Sequence, residues 1–184
     1  MQHSYLPSIL KQFEYYKSLG DKTFDQLSEE ELFWQSDAEA NSIAILVKHI
    51  AGNMLSRWTN FLTEDGEKSW RDRDDEFVGS YETKEDIIAG WEQGWNCLLS
   101  TLKELNDDQL ESIVYIRNMG HTVTEAINRQ LCHYSYHVGQ IVLLGRIQKK
   151  EDWTSLSVAK GGSKDYNADK FSKEKGRRHF TEDL

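Results

Sequence analysis

The chain has 184 residues, 38% of them hydrophobic and 29% charged. One domain of that size buries about 70% of its unfolded surface and needs neither disulfide nor metal to fold. The formal charge of −9 excludes ordinary nucleic-acid and anionic-membrane binders, whose partners demand a basic face.

No stretch approaches the roughly 18 apolar residues of a membrane span. The opening MQHSYLPSILKQF lacks the basic start and long apolar run of a secretory leader. Cys97 and Cys132 form neither a disulfide framework nor a CxxC pair, so a cytoplasmic protein is expected.

A single proline, Pro7, leaves room for long helices. The first segment, 5–27, spaces Leu6, Leu10, Phe13 and Leu19 at loose helical intervals. The acidic, aperiodic stretch 28–41 reads as a connection. From Asn41 onward Ile43, Leu46, Val47, Ile50, Met54, Trp58 and Phe61 recur three or four apart, and Asn41 or Ser42 is placed to cap the helix they define. Residues 63–82 are charged and turn-forming. Thr83 with Asp86 forms a capping box for a third helix, its stripe running through Ile87, Ile88, Trp91, Trp95, Leu98, Leu99 and Leu102. Gly90 and Gly94 lie on that helix at a cost of about 1 kcal/mol each, which close approach of a neighbouring helix would offset.

Residues 112–116 are β-prone, and a second capping box, Thr122 with Glu125, opens the last long helix. Beyond about 150 the chain is polar, and SKEKGRRHF at 172–180 reads as solvated tail. These elements predict an all-α, four-helix bundle over 1–150 with a polar, loop-rich C-terminal extension over 151–184, packed on the bundle or partly disordered.

His133 and His137, in HYSYH, fall at i and i+4 on the last helix, so both rings project from one face about 6 Å apart. That spacing suits two imidazoles on one ion, but by itself is a weak signal against the alternative of partly buried, packed histidines. Ala126, Gln130, His133, His137 and Gln140 form a polar strip beside the apolar stripe of Ile127, Leu131, Tyr134, Val138 and Ile141. A metal needs a third ligand. His121 would lie about 18 Å away along a continuous helix, and His3 and His179 sit near the termini. His49, at the edge of the second helix's stripe with Gly52, Asn53 and Ser56 on the next turn, is the remaining candidate, although taken alone it reads better as core packing. Tyr134 stands where HExxH proteases carry their glutamate, which argues against zinc peptidase chemistry.

One histidine in LVKHIAGN followed by HxxxH on a later helix resembles the DinB/YfiT-like superfamily of metalloenzymes. More closely, HIAGNMLSRWTNFLTEDGEKSWRDRDDEF, LCHYSYHVGQIVLLGR and the tail WTSLSVAKGGSKDYN are similar to an uncharacterised branch of it. The likeness spans roughly residues 5–167; the branch commonly carries a proline before the Lys-Gly, where this chain reads Ser157-Val158-Ala159. The resemblance implies a DinB-like four-helix bundle, often a homodimer. It also implies a divalent ion, nickel or zinc, held by His49, His133 and His137 with an open position.

Such a site can lower the pKa of a bound water or position a thiolate as nucleophile. Some relatives are similar to transferases that add a low-molecular-weight thiol to a small electrophile. The expected function is therefore a metal-dependent enzyme, with thiol S-transfer first, hydrolysis second and a non-catalytic metal-binding or sensing bundle as the rival. No catalytic residue is assigned. Asn53, one turn past His49, is a candidate to orient a ligand; Arg71 and Arg73 in the charged loop are candidates to clamp an anionic substrate group, against the bland reading of a solvated, salt-bridged loop. A hydrolase would need a carboxylate near the ion, Glu67 or Asp65. The partner expected is a small-molecule substrate, with neither nucleic acid nor membrane.

Overall fold

The computed structural model describes residues 4–79 and 81–183 and is mostly helical. Among the described residues there are six α-helices and one two-stranded sheet. The helices are α1 (Tyr5–Phe24), α2 (Glu29–Phe33), α3 (Ile43–Trp58), α4 (Lys84–Glu104), α5 (Val123–Lys149) and α6 (Ser163–Ser172). Antiparallel β1 (Ile113–Ile116) and β2 (Met119–Thr122) lie between α4 and α5, with Ile113 opposite Thr122 and Ile116 opposite Met119. No helix among the described residues is long and apolar enough to cross a membrane.

The caps form as the side chains allow. Ser42 accepts the Ile45 amide at 3.2 Å, and the Thr83/Asp86 and Thr122/Glu125 pairs close reciprocal boxes. The stretch 28–41 is not a plain connection: Ser28 and Glu31 form a third such box and nucleate α2. Only five residues long, α2 is too short to show a period, yet it buries Leu32 completely.

Helix α3 packs along α4, α4 on α1, α1 on α5, and α5 back on α3. Gly94 permits the closest approach, since a Cβ there would sit 2.9 Å from the Ala51 Cα on α3. Gly90 has a different reason, giving room to the Tyr81 ring rather than to a helix. On α1 the innermost residues are Ile9, Phe13 and Phe24, with Leu6, Leu10 and Leu19 only partly covered; on α4, Ile88 points outward. Phe13 sits 6.2–6.3 Å from the rings of Trp58, Trp95 and Tyr134 at steep angles, so one residue from α1 joins α3, α4 and α5. Phe13→Ala should cost about 3–5 kcal/mol.

After Lys149 the chain turns back over α1. Gln26 exchanges two hydrogen bonds with the Thr154 backbone, and the Phe180 ring meets Tyr15.

Candidate metal centre

Helices α3 and α5 face each other across the polar strip, and His49, His133 and His137 meet there. Their ligand atoms all lie within 4.8 Å of one another. His133 Nε2 is 3.3 Å from His49 Nε2 and 3.1 Å from His137 Nε2.

The other ring nitrogens fix the tautomers. His49 Nδ1 is 2.9 Å from Glu76 Oε2, and an ionised carboxylate only accepts, so Nδ1 carries the proton. His137 Nδ1 is 2.7 Å from Gln140 Oε1, whose amide nitrogen is given to the Tyr136 hydroxyl. Both Nε2 atoms therefore present lone pairs. His133 could donate to one of them at most, so at least one of the two contacts has no hydrogen to bridge it. Burial pushes the His133 ring down to about 3, and the neighbouring His137, His49, Arg57 and Arg71 add to the shift. Burial also lowers His137, against the support of Gln140. Protons do not fill the gap at neutral pH.

A divalent ion would. At a metal–nitrogen distance of about 2.0–2.1 Å, two ligands of a tetrahedron are roughly 3.4 Å apart and two facial ligands of an octahedron roughly 3.0 Å. The observed separations, 3.1 and 3.3 Å, fall between those limits. The donor set of three imidazole nitrogens fits a borderline ion such as zinc, nickel, copper or iron.

The loop between α3 and α4 builds the far wall. Asp65 accepts the backbone amides of Arg117 and Asn118, both at 2.8 Å. Those two residues are in the left-handed region (φ 55° and 60°) that a two-residue hairpin turn of this hand requires, so Asp65 ties the β1–β2 turn to the loop. A 3-10 turn at Asp75–Phe77 then returns the chain to α3. It delivers Glu76 to His49 and lays the Phe77 ring 4.7 Å from the His49 ring.

Arg71 donates to both Glu76 oxygens, at 2.7 and 2.9 Å, and its side chain is 2% exposed. Burial opposes the charge of Glu76, but the hydrogen bonds from His49 and Arg71 overcome it and hold the carboxyl below the usual range. Gly52 makes this possible: a Cβ there would collide with Glu76 Oε1. Lys68 and Glu76 are buried too, so the loop is salt-bridged yet not simply solvated.

Arg73 lies over the Phe77 ring at 5.1 Å, half exposed at the cavity mouth. Asn53 lines the same cavity and accepts the hydroxyl of Tyr134, itself wholly buried, at 2.9 Å. Glu67 is engaged by Arg57, Arg71 and Arg117, and Asp65 by backbone amides; neither lines the cavity. His121 falls on β2 and meets Arg129, while His179 bonds Ser8 and Thr181; His3 lies outside the described residues. The sequence reading missed Glu76, Phe77 and Arg129.

Fold and site together define a mostly helical protein with a three-histidine cluster compatible with a metal ion. A family model described as protein of unknown function (DUF1572) matches residues 1–162, and the chain belongs to that family. No curated protein matches the chain.

Proposed function

We propose that the chain is a metal-dependent enzyme of the DinB-like four-helix-bundle type, with His49, His133 and His137 holding one divalent ion, nickel or zinc, through Nε2. The observation that carries this reading is the convergence of three imidazoles, two with Nε2 lone pairs fixed by Glu76 and Gln140, with His133 Nε2 at ligand-edge distances from both of the others. Such an ion, when bound, supplies a Lewis-acidic position open to a substrate or a thiolate.

The chain's own residues do the rest. Glu76 and Gln140 orient two rings, Phe77 shields one of them from water, and Asn53 and Gln130 present amides to a cavity of about 330 Å³. Among the described residues no carboxylate lines that cavity. A metal lowers the pKa of water and thiol alike, but a hydrolase would lack the carboxylate that carries the water's proton to a leaving group, whereas a thiol, the stronger acid, reaches its thiolate without one. This favours transfer of a low-molecular-weight thiol to a small electrophile, as the resemblance to the DinB/YfiT-like superfamily implies, over hydrolysis. We also read the chain as a cytoplasmic homodimer, with the outward Tyr136, Leu143 and Ile147 of α5 as its contact.

The test is the metal content of untagged protein beside His133→Ala, followed by a screen of thiol and electrophile pairs. About one equivalent of nickel or zinc, lost in the variant, with metal-dependent thiol consumption, is the expected result. A wild-type chain that takes up no metal even from excess ion overturns the enzyme reading. A metal-loaded chain inert to every thiol points instead to storage or sensing.

A further inference from the structure

The cavity wall carries Arg57, Arg71, Arg73, Arg117 and Arg129 beside the histidines and, among the described residues, no acidic one. On a chain with 31 acidic and 22 basic side chains, composition alone would produce the opposite. Two carboxylates lie behind the wall. Glu67 bonds Arg57, Arg71 and Arg117, and Glu76 bonds Arg71. Five arginines less two glutamates leave three positive charges around the cavity.

Arg73 and Arg129 hold the excess. Arg73 has only the fully exposed Asp74 at 4.0 Å, too distant and too wet to neutralise it. Arg129, one turn before His133 on α5, reaches the ring of His121 at 3.3 Å. Between these two sits an independent sign of a missing ligand. Gln130 lines the cavity while only 4% exposed, and its Oε1 is buried with no hydrogen-bond partner. That oxygen is an acceptor and cannot itself hold an anion, but turning the amide end for end presents Nε2, a donor, in its place.

The cavity also continues outward. A neighbouring depression of about 420 Å³ shares Arg71, Arg73 and Arg117 with it and adds Trp70, a residue 59% exposed, together with Ser69, Asp72 and Asp74, so the anionic end belongs in the inner cavity and the neutral body outside. An aromatic face beside guanidinium groups suits a ligand with a flat or apolar body and a charged end.

We infer that the substrate of this site is a small molecule bearing a compact oxyanion, a phosphate or a carboxylate, held by Arg73, Arg129 and Nε2 of the turned Gln130 amide, with its body extending over Trp70. The inference rests on the reading of the histidines as the reaction centre. Arg73 rides on Phe77, which rides on His49, so an anion on Arg73 is held two ring layers from the ligand cluster. Arg57 and Arg71, pinned by glutamates, shape the field without moving toward the ligand.

The probes are inorganic phosphate and acetate, titrated calorimetrically at low ionic strength into the full chain as purified, and again after chelation. Beside the wild type stand Arg73→Gln/Arg129→Gln, Gln130→Leu and, as a charge control far along α5, Arg146→Gln. Saturable millimolar binding is expected. It should weaken at least about tenfold in the double variant and severalfold in Gln130→Leu, and change less than about twofold in the control. Both arginines are surface residues, so the double variant should stay folded with its metal content unchanged. Tighter phosphate than acetate identifies a dianionic substrate end, and the reverse a carboxylate. No saturable binding of either probe, or equal loss in the Arg146 control, overturns the inference while leaving metal uptake untouched. Arginine-dependent binding in a chain that holds no metal supports the inference and sinks only the metal reading.

Discussion

Two stretches look alike as sequence and behave differently as structure. The loop DGEKSWRDRDDEF (65–77) and the tail SKEKGRRHF (172–180) are both dense in charge and free of apolar period. In the loop Lys68 and Glu76 are buried, and Arg71 almost disappears from solvent. In the tail the charged side chains stay exposed, and attachment depends on edge contacts with α1. The difference lies in sign and spacing. The loop alternates acid and base, so Arg71 meets Glu67 four residues before it and Glu76 five residues after it. From 173 to 178 the tail is mainly basic, and Lys173 pairs with Asp169 at 3.1 Å in the open, both side chains more than a third exposed. Charge is buried only where partners can satisfy it, and here the satisfied network is the wall of the site.

The strongest way to break this comparison is Glu76→Ala. It strands Arg71 and frees the His49 ring, so stability should fall by about 3–5 kcal/mol and metal affinity by about 10–100-fold. Denaturant melts and competition with a chelating dye would measure the two effects. A variant that melts and binds like the wild type would show that the loop only decorates the site. Gly52→Ala sharpens the point. Helix propensity alone predicts a gain of about 1 kcal/mol, yet the added methyl collides with Glu76 Oε1. Metal affinity should drop severalfold with little net change in stability; a purely stabilising outcome would mean that Glu76 swings clear at no cost to His49.

Acid should dissolve the loop before the core. Burial opposes the charges of Asp65 and Glu67, but the amides of Asn118, Glu67 and Arg117 hold the first below the usual carboxylate range, and Arg57, Arg71 and Arg117 the second. Groups depressed in the folded state stabilise it fully above their ordinary values near 4 and lose that contribution as pH falls through the lower folded ones. Hydrogen exchange in 63–79 should therefore accelerate below about pH 4, and Glu67→Gln should flatten the profile. Identical profiles for variant and wild type would remove the ion-pair network from the account.

Much of this could be read from the residues. Capping boxes, apolar stripes and the i, i+4 histidines are local patterns, and they placed α3, α4, α5 and the His133–His137 pair; His49 joined them as a ligand only through the family resemblance. Asn53 and Arg73 were also within reach, because each lies close in sequence to a site feature. Glu76 was not: it lies 27 positions beyond His49, in an aperiodic loop past the end of α3, and nothing local distinguishes it from Asp74 or Asp75. Strand β1 was visible in Ser112–Ile116, whereas β2, Met119–Thr122, has weak β propensity and owes its pairing to a turn that Asp65 ties down from outside. Arg129 carried a usable signal, being four residues before His133, but a lone arginine on a helix is ordinary until the cavity beside it is seen.

The smallest expected effect concerns the tail. Lys11 pairs with Glu182, both side chains at least 40% exposed, and Phe180 leans on Tyr15 with ring centroids 5.4 Å apart. An exposed ion pair loses in side-chain entropy and hydration nearly what it gains by attraction. Glu182→Gln should therefore leave the melting temperature unchanged. Phe180→Ala should cost no more than about 1.5 kcal/mol, the scale of an edge contact between half-exposed rings. Neither change should alter metal content or phosphate binding, because the tail meets α1 and not the cavity. If Glu182→Gln destabilised the chain as much as Glu76→Ala, charge density alone would set the stability of both stretches, and the distinction drawn from partner spacing would fail.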